Sequence, residues 1–324
     1  MTAFPTAVLT SPAFEGHETG AHPENPGRMR AIRVELERRE LLTGRPGFDF
    51  GPASRDLVLQ VHDRRLLDTL DDHVAVGGGW YDPDTMVDVD SVDVAYRAAG
   101  AAVRAVDAVL DGEAPRAFVL ARPPGHHATR GRAMGFCLIN SIAVAAQSAI
   151  NRGMERVAII DWDVHHGNGT EAIFAARPDV LFCSVHQFGY GFYPGTGRAE
   201  DVGHGGGEGF TLNVPLPAGS DDGAYERVFT DLFAPKVEAF QPELILVSAG
   251  YDAHRDDLLG GMRVTEAGFE MMNRAVLDWA NRFAGDRIVA ILEGGYDPAA
   301  LGQSVAVTLE TFDAASRAGY SGVR

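Results

Sequence analysis

The sequence predicts an α/β fold in which a mainly parallel sheet is covered by helices on both faces. Three observations point to it. From Ala117 onward, short apolar runs alternate with longer helical stretches, the rhythm of right-handed βαβ crossovers. A run such as residues 157–160 is continuously apolar, as a strand buried between two helix layers must be. The chemistry-bearing residues gather where these runs stop, and ligands of open parallel sheets bind beyond the carboxyl ends of the strands.

Taken in order, residues 7–11 read as a first strand and residues 17–26 as a loop rich in His, Glu, Gly and Pro. Residues 28–42 form an amphipathic helix, His62 closes an apolar run at 57–61, and residues 64–70 are helical. Gly77-Gly78-Gly79-Trp80, followed by Asp82-Pro83-Asp84, makes a turn-rich loop. Residues 92–110 form an alanine-rich helix whose small face must pack closely on a neighbour. Strands follow at 117–121, 157–160, 180–185, 210–214, 244–248 and 288–292, and helices at 138–151, 170–176, 224–240, 265–283 and 298–315. No linker, repeat or composition shift interrupts the series, so residues 1–324 read as one domain.

Composition narrows the function. With 45% hydrophobic residues the chain can fill a large core, so disorder is excluded. A net charge of −17 disfavours nucleic-acid binding, which needs a basic face. It would draw in cationic substrates such as lysine-rich segments or polyamines, although a solubilising role competes. Lys236 is the only lysine, which reads as coding bias. Cys137 and Cys183 are too few for a disulfide framework, so reduced thiols in a cytoplasm are expected. Residues 1–14 show no secretory signal, and no run approaches the roughly 20 apolar residues of a membrane span.

The chemistry centres on residues 157–170. The apolar run ends abruptly in Asp161, Asp163, His165 and His166, an ending that no structural core requires. Strand alternation would set Asp161, Asp163 and His165 on one side. Together with Asp252, at another strand end, Asp163 and His165 form a set of two carboxylates and one imidazole with no thiolate. Three protein ligands leave a position for water, the pattern of a catalytic metal site. Two anionic ligands should lower that water's pKa less than three neutral imidazoles would, so a separate base is needed. His126 and His127 supply candidates. If Asp161 supports His126 and Asn168 supports His127, the first tends to be charged and the second neutral. Tyr296 can then donate to a developing oxyanion.

Singly, these features mean little: His-His pairs are often loop features, Asp-x-Asp is often a turn, and Gly-Gly-Tyr can end a strand. Their joint occurrence at four strand ends carries the argument. The motifs Arg122-Pro123-Pro124-Gly125-His126-His127-Ala128, Gly135-Phe136-Cys137-Leu138-Ile139-Asn140, Asp161-Trp162-Asp163-Val164-His165-His166-Gly167-Asn168-Gly169-Thr170, Tyr193-Pro194-Gly195-Thr196-Gly197, Ser248-Ala249-Gly250-Tyr251-Asp252-Ala253 and Glu293-Gly294-Gly295-Tyr296 resemble the zinc-dependent histone deacetylase family. That family also includes acetylpolyamine amidohydrolases and acetoin-utilisation proteins. The resemblance runs from about His22 to Tyr296 and is nearest the class II branch, through Arg-Pro-Pro-Gly-His-His and Asp-Trp-Asp.

The resemblance implies a three-layer α/β/α sandwich with a mainly parallel eight-stranded sheet, shared with arginases. It implies zinc on Asp163, His165 and Asp252, with His127 as general base and acid and His126 as its electrostatic companion. Asp161 and Asn168 tune the two histidines, Tyr296 polarises the acetyl carbonyl, and His166 is structural. Phe136 and Tyr193 match the aromatics of an acyl-lysine tunnel, with Gly135 beside them among the substrate-binding residues. Tyrosine at 193, where many members carry phenylalanine, narrows or polarises that tunnel. A potassium site is implied around Asp161, Asp163, His165 and Ser184. Leu259 stands where a polyamine-selective branch carries an acid. Arg28 matches an arginine near an internal acetate channel, with a structural role competing, and Asp82 and Asp84 lie in a loop able to reach a substrate backbone. The implied substrate is an acetylated lysine side chain. The rivals are acetylpolyamines or another small acetylated amine, a silent acyl-lysine binding module, and a dinuclear manganese ureohydrolase. The last is disfavoured by Ala253-His254 after Asp252, where a second bridging aspartate would be needed.

Overall fold

A computed structural model describes residues 6–319. In chain order the strands are β1 (Thr6–Leu9), β2 (Gly79–Trp80), β3 (Met86–Val87), β4 (Arg116–Val119), β5 (Val157–Asp161), β6 (Val180–Gln187), β7 (Thr211–Leu216), β8 (Leu244–Ala249) and β9 (Ile288–Leu292). The helices are α1 (Gly27–Arg38), α2 (Arg55–Val58), α3 (Arg64–Ala75), α4 (Ser91–Leu110), α5 (Ser141–Asn151), α6 (Asn168–Phe174), α7 (Asp222–Arg227), α8 (Ala234–Phe240), α9 (Glu266–Phe283) and α10 (Pro298–Gly319).

Seven strands form one parallel sheet in the order β1-β4-β9-β8-β5-β6-β7. Helices α4 and α5 pack together on one face, and α1, α10 and α9 pack in series on the other. The three-layer α/β architecture is therefore as expected. The described sheet has seven strands rather than eight, because β2 and β3, of two residues each, pair only with each other. The β4, β5, β8 and β9 side chains are buried throughout, which explains why these strands read as unbroken apolar runs. Among the described residues no helix is long and apolar enough to cross a membrane.

Several boundaries move for local reasons. The helix expected from residue 138 starts at Ser141, because the Asn140 side chain accepts from Ala143 N and caps it. The stretch 224–240 is helical but not uniformly α. Residues Val228–Phe233 form a π-turn ahead of Pro235, which lacks the N–H that an α-turn would need. The small face of α4 does have its close neighbour: a Cβ at Gly100 would lie 1.9 Å from the Gly51 carbonyl oxygen.

The sheet order matters most for function. Strands β4, β9, β8 and β5 are consecutive, so the four polar strand ends fall side by side at its centre.

Candidate active site

Strand β5 stops at Asp161, so alternation is not what aligns the residues beyond it. The chain bends instead, with Asp163 N donating to Asp161 Oδ1 (3.1 Å) and His165 N to Asp163 Oδ1 (2.9 Å). These bends turn Asp163 and His165 toward the end of β8, where Asp252 waits. His165 Nδ1 lies 3.0 Å from Asp252 Oδ2 and 3.2 Å from Asp163 Oδ1. One ligand atom from each of the three lies within 4.8 Å of the others, and all three residues are buried.

The backbone is cut away to admit this cluster. A Cβ on Gly250 would sit 2.2 Å from Asp163 Oδ2, and one on Gly294 2.2 Å from Asp252 Oδ2. Backbone amides take the remaining oxygens: Gly294 N donates to Asp163 Oδ2 (2.8 Å) and Val164 N to Asp252 Oδ1 (2.8 Å). Burial and the neighbouring Asp163 carboxylate push Asp252 up to about 7. Burial works against the charge on Asp163, but His126 and His165 hold it low. Burial likewise opposes charge on His165, yet the two carboxylates raise it to about 9. Two buried carboxylates facing one imidazole favour a positive charge between them, and such a donor set forms a three-ligand metal site. The residues present thus fit a divalent metal.

Beside the cluster, after β4, the two adjacent histidines are set in opposite states. His126 Nδ1 donates to Asp161 Oδ2 at 3.0 Å. Burial disfavours its charge, but Asp163, Asp161 and Glu293 outweigh burial and raise its pKa well above the usual value. His127 Nδ1 donates to Asn168 Oδ1 at 2.7 Å, which leaves Nε2 as the acceptor. Burial, then the neighbouring His126 and His165, hold His127 well below the usual imidazole range. Their ring centroids are 4.0 Å apart, so charge on one disfavours charge on the other.

Tyr296, after β9, is buried with its phenol pushed well above its ordinary pKa by burial, against the pull of Arg28. It is therefore a protonated hydrogen-bond donor. The Arg28 guanidinium lies 4.9 Å from its ring centroid and donates to the carbonyls of Gly295 (2.7 Å) and Glu293 (2.5 Å). Arg28 and Arg122 both bind the fully buried Glu24, at 3.0 and 2.6 Å.

A cavity of about 260 Å³ opens onto these groups, lined by His127, His165, Phe136, Phe192, Tyr193 and Leu259 among others. Gly135 and Asp84 also line it. Tyr193 meets the His127 ring edge-on at 5.1 Å, and its hydroxyl is buried without a partner. Asp82 lies outside the lining, accepting from Asp84 N (3.1 Å) and Thr85 N (2.8 Å), so it shapes the turn that presents Asp84. Ser184 is also outside, bonded to His186 Nδ1 at 2.9 Å and paired in register with Asp161. His166 is held by Thr196 (2.8 Å) and Glu171 (3.1 Å), away from the cluster. Cys137 and Cys183 are buried and free.

Three participants escaped the sequence reading. Phe192 stacks on His165 at 5.1 Å and 3°, one residue before the tyrosine singled out. Glu293 receives Gly125 N (2.6 Å) and His126 N (3.1 Å), holding the histidine turn. Glu24 joins two arginines 94 residues apart in the chain. Only the position of Glu293 at a strand end gave any signal.

This arrangement has counterparts. The family model described as "Histone deacetylase domain" matches residues 22–312. A "Histone deacetylase-like amidohydrolase" of Pseudomonas aeruginosa is 43% identical over 279 residues, covering 86% of this chain and 73% of that protein. A "Probable deacetylase" of Archaeoglobus fulgidus is 40% identical over 90% of this chain and 81% of its own length. "Histone deacetylase 10, chloroplastic" of Oryza sativa subsp. japonica is 42% identical over 94% and 72%. Among solved structures, the HDA15 HD domain superposes with a TM-score of 0.92 at 36% identity, covering 97% of this chain and 90% of that one. The fold and the site define an α/β amide hydrolase. The chain belongs to the histone deacetylase family and is a deacetylase of the histone deacetylase-like amidohydrolase kind.

Proposed function

We propose that the chain is a zinc-dependent deacetylase whose substrate is an acetylated lysine side chain. The observation that carries this reading is the cavity itself. Its floor is His127, His165 and Tyr296, with His165 tying it to the buried Asp163 and Asp252, and its walls are Phe136, Phe192, Tyr193 and Leu259. Zinc held by the three ligands would supply Lewis acidity toward an acyl oxygen and acidify a water.

The chain's own residues do the rest. The aromatic walls enclose the aliphatic part of the acyl-lysine and exclude bulk water, which strengthens the polar interactions below them. His127, neutral and with Nε2 free, takes a proton from the attacking water. Asn168 keeps that tautomer by accepting from Nδ1. The proton then passes to the leaving amine. His126, held charged by Asp161, opposes permanent charging of His127, so its proton remains transferable. Tyr296 donates to the oxygen that becomes negative as water adds. A potassium ion beside Asp161 and Ser184 belongs to the same reading, on their pairing at full burial. So do a single domain, supported by one seven-stranded central sheet with one continuous core among the described residues, and a reducing cytoplasm, supported by two free thiols.

Asp84 favours a second reading, since a carboxylate in the lining would suit the remote ammonium of an acetylpolyamine. Comparing kcat/KM on an acetyl-lysine peptide with acetylputrescine and acetylspermidine decides between the two. The peptide should lead, and a clear polyamine preference would reverse the assignment. Metal analysis should find one zinc per chain, and two manganese ions would overturn the mechanism.

A further inference from the structure

Tyr296 occupies a precarious stretch of backbone. Gly294 and Gly295 precede it, the latter at φ 120°, and α10 begins two residues after it at Pro298. A tyrosine hydroxyl lies far from its own Cα, so a small rotation of this segment would carry the hydroxyl away from a bound carbonyl. Upstream, Arg28 fixes the segment through Gly295 O. Downstream, Asp297 caps α10 by accepting from Ala299 N (3.0 Å) and Ala300 N (2.8 Å). Arg28 also packs over the Tyr296 ring, but neither group bonds the Tyr296 backbone itself.

That contact comes from another loop. Between β8 and α9, Asp257 turns its carboxylate toward the β9 loop, where Oδ2 accepts from Tyr296 N at 2.6 Å and Asp297 N at 3.2 Å. Its other oxygen accepts from Leu259 N at 2.9 Å. One carboxylate thus bridges the loop that presents Tyr296 and the loop that presents Leu259 to the cavity. The β8 loop is itself well anchored. Asp257 N donates to His254 O at 3.0 Å, and a Cβ at Gly260 would lie 2.0 Å from Asp252 O. Charge-assisted bonds from backbone amides to a carboxylate are strong and directional, which suits a brace.

We propose that Asp257 is a positioning residue for Tyr296: it fixes the backbone from which the oxyanion donor projects and couples that donor to the Leu259 wall. The inference rests on the proposed role of Tyr296. Misplacing a catalytic group by about 1 Å typically costs about 100-fold in rate. Asp257→Asn keeps the size but offers only one acceptor oxygen for the two sets of amides, so it should lower kcat by up to about 100-fold. KM should change by no more than a few-fold, and zinc content should equal that of the parent. Asp257→Ala should behave similarly, and Asp257→Glu should recover part of the loss.

The decisive experiment compares two substrates and two backgrounds. A trifluoroacetyl-lysine peptide has a carbonyl already polarised by its fluorines and depends less on an oxyanion donor. The Asp257→Asn loss should shrink on it, and should nearly vanish when the substitution is made in a Tyr296→Phe chain. Equal losses on both substrates, or an equal loss in the Tyr296→Phe background, would show that Asp257 does not act through Tyr296. So would a change confined to KM. If Tyr296→Phe alone turns over acetyl-lysine at the parental rate, it is the mechanism under Proposed function that falls, and the positioning role with it. If Asp257→Ala is poorly folded, Asp257→Asn and its thermal midpoint carry the comparison.

Discussion

The floor and the mouth of the cavity are built differently. Directly beneath the floor residues His127, His165 and Tyr296, the side chains of Asp161, Asp163, Asp252, His126 and Glu293 are almost wholly buried. Glu293 Oε1 excepted, their carboxylate oxygens and the His126 Nδ1 are held by backbone amides, by His165 and by one another. At the mouth, Phe136, Phe192, Tyr193 and Leu259 are only partly buried and belong to loops held mainly through their backbones and ring contacts. On the function proposed above, the reaction would be fixed by buried electrostatics that tolerate little change, whereas substrate choice would rest on shape that a single loop residue can alter. Each prediction below tests that division.

The largest effect should come from the floor. General acid–base groups contribute about 10²–10⁴-fold, so His127→Ala should remove most of kcat while leaving zinc content and the circular dichroism spectrum unchanged. An acetyl-lysine assay showing only a several-fold loss would mean that another group takes the proton.

Next is the support beneath the floor. Glu24→Ala leaves Arg28 and Arg122 buried without their shared carboxylate. Breaking a buried pair costs about 3–5 kcal/mol, to be read in urea or thermal unfolding. A loss under about 1 kcal/mol would place Glu24 among ordinary surface charges, contrary to its burial.

Asn168→Asp sharpens the contrast between the two histidines by giving His127 the partner His126 already has. A carboxylate within hydrogen-bond reach raises an imidazole pKa by about 1–3 units. Because protonated His127 cannot accept a proton, the acid limb of kcat/KM should move to higher pH by a comparable amount. An unmoved limb would mean that His127 protonation does not set it.

The smallest effect belongs to the mouth. Leu259→Glu should leave kcat on acetyl-lysine almost unchanged and improve kcat/KM for acetylspermidine by several-fold, since a partly exposed ion pair is worth about 1 kcal/mol. Parallel losses on both substrates would show that the mouth participates in the chemistry and would erase the division.

The site was legible to different degrees along the chain. His126, His127, Asp163, His165, Asp252 and Tyr296 follow strand ends, and a parallel sheet necessarily brings such ends to one edge. Their convergence could be argued before any coordinates. The way Asp163 and His165 reach Asp252 could not, because β5 ends at Asp161 and side chain-to-backbone bends replace the alternation that a longer strand would show. Phe192 was hidden beside Tyr193, since adjacent residues in a loop have no fixed period to say which faces the cavity.

By itself, the sequence determined the chain order of the seven strands of the main sheet and of the longer helices, though not the short β2, β3 and α2, together with the burial of the central strands and the donor set at the carboxyl edge. These follow from apolar periodicity and from chemistry that only a few residue types can supply. The tertiary structure alone decided which strand ends are neighbours, that β4, β9, β8 and β5 stand together, and that Glu24 and Asp257 brace segments distant in the chain. Hydrogen bonds to a carboxylate depend on distances set by packing, and nothing in local sequence encodes contacts between residues 39 or 98 positions apart.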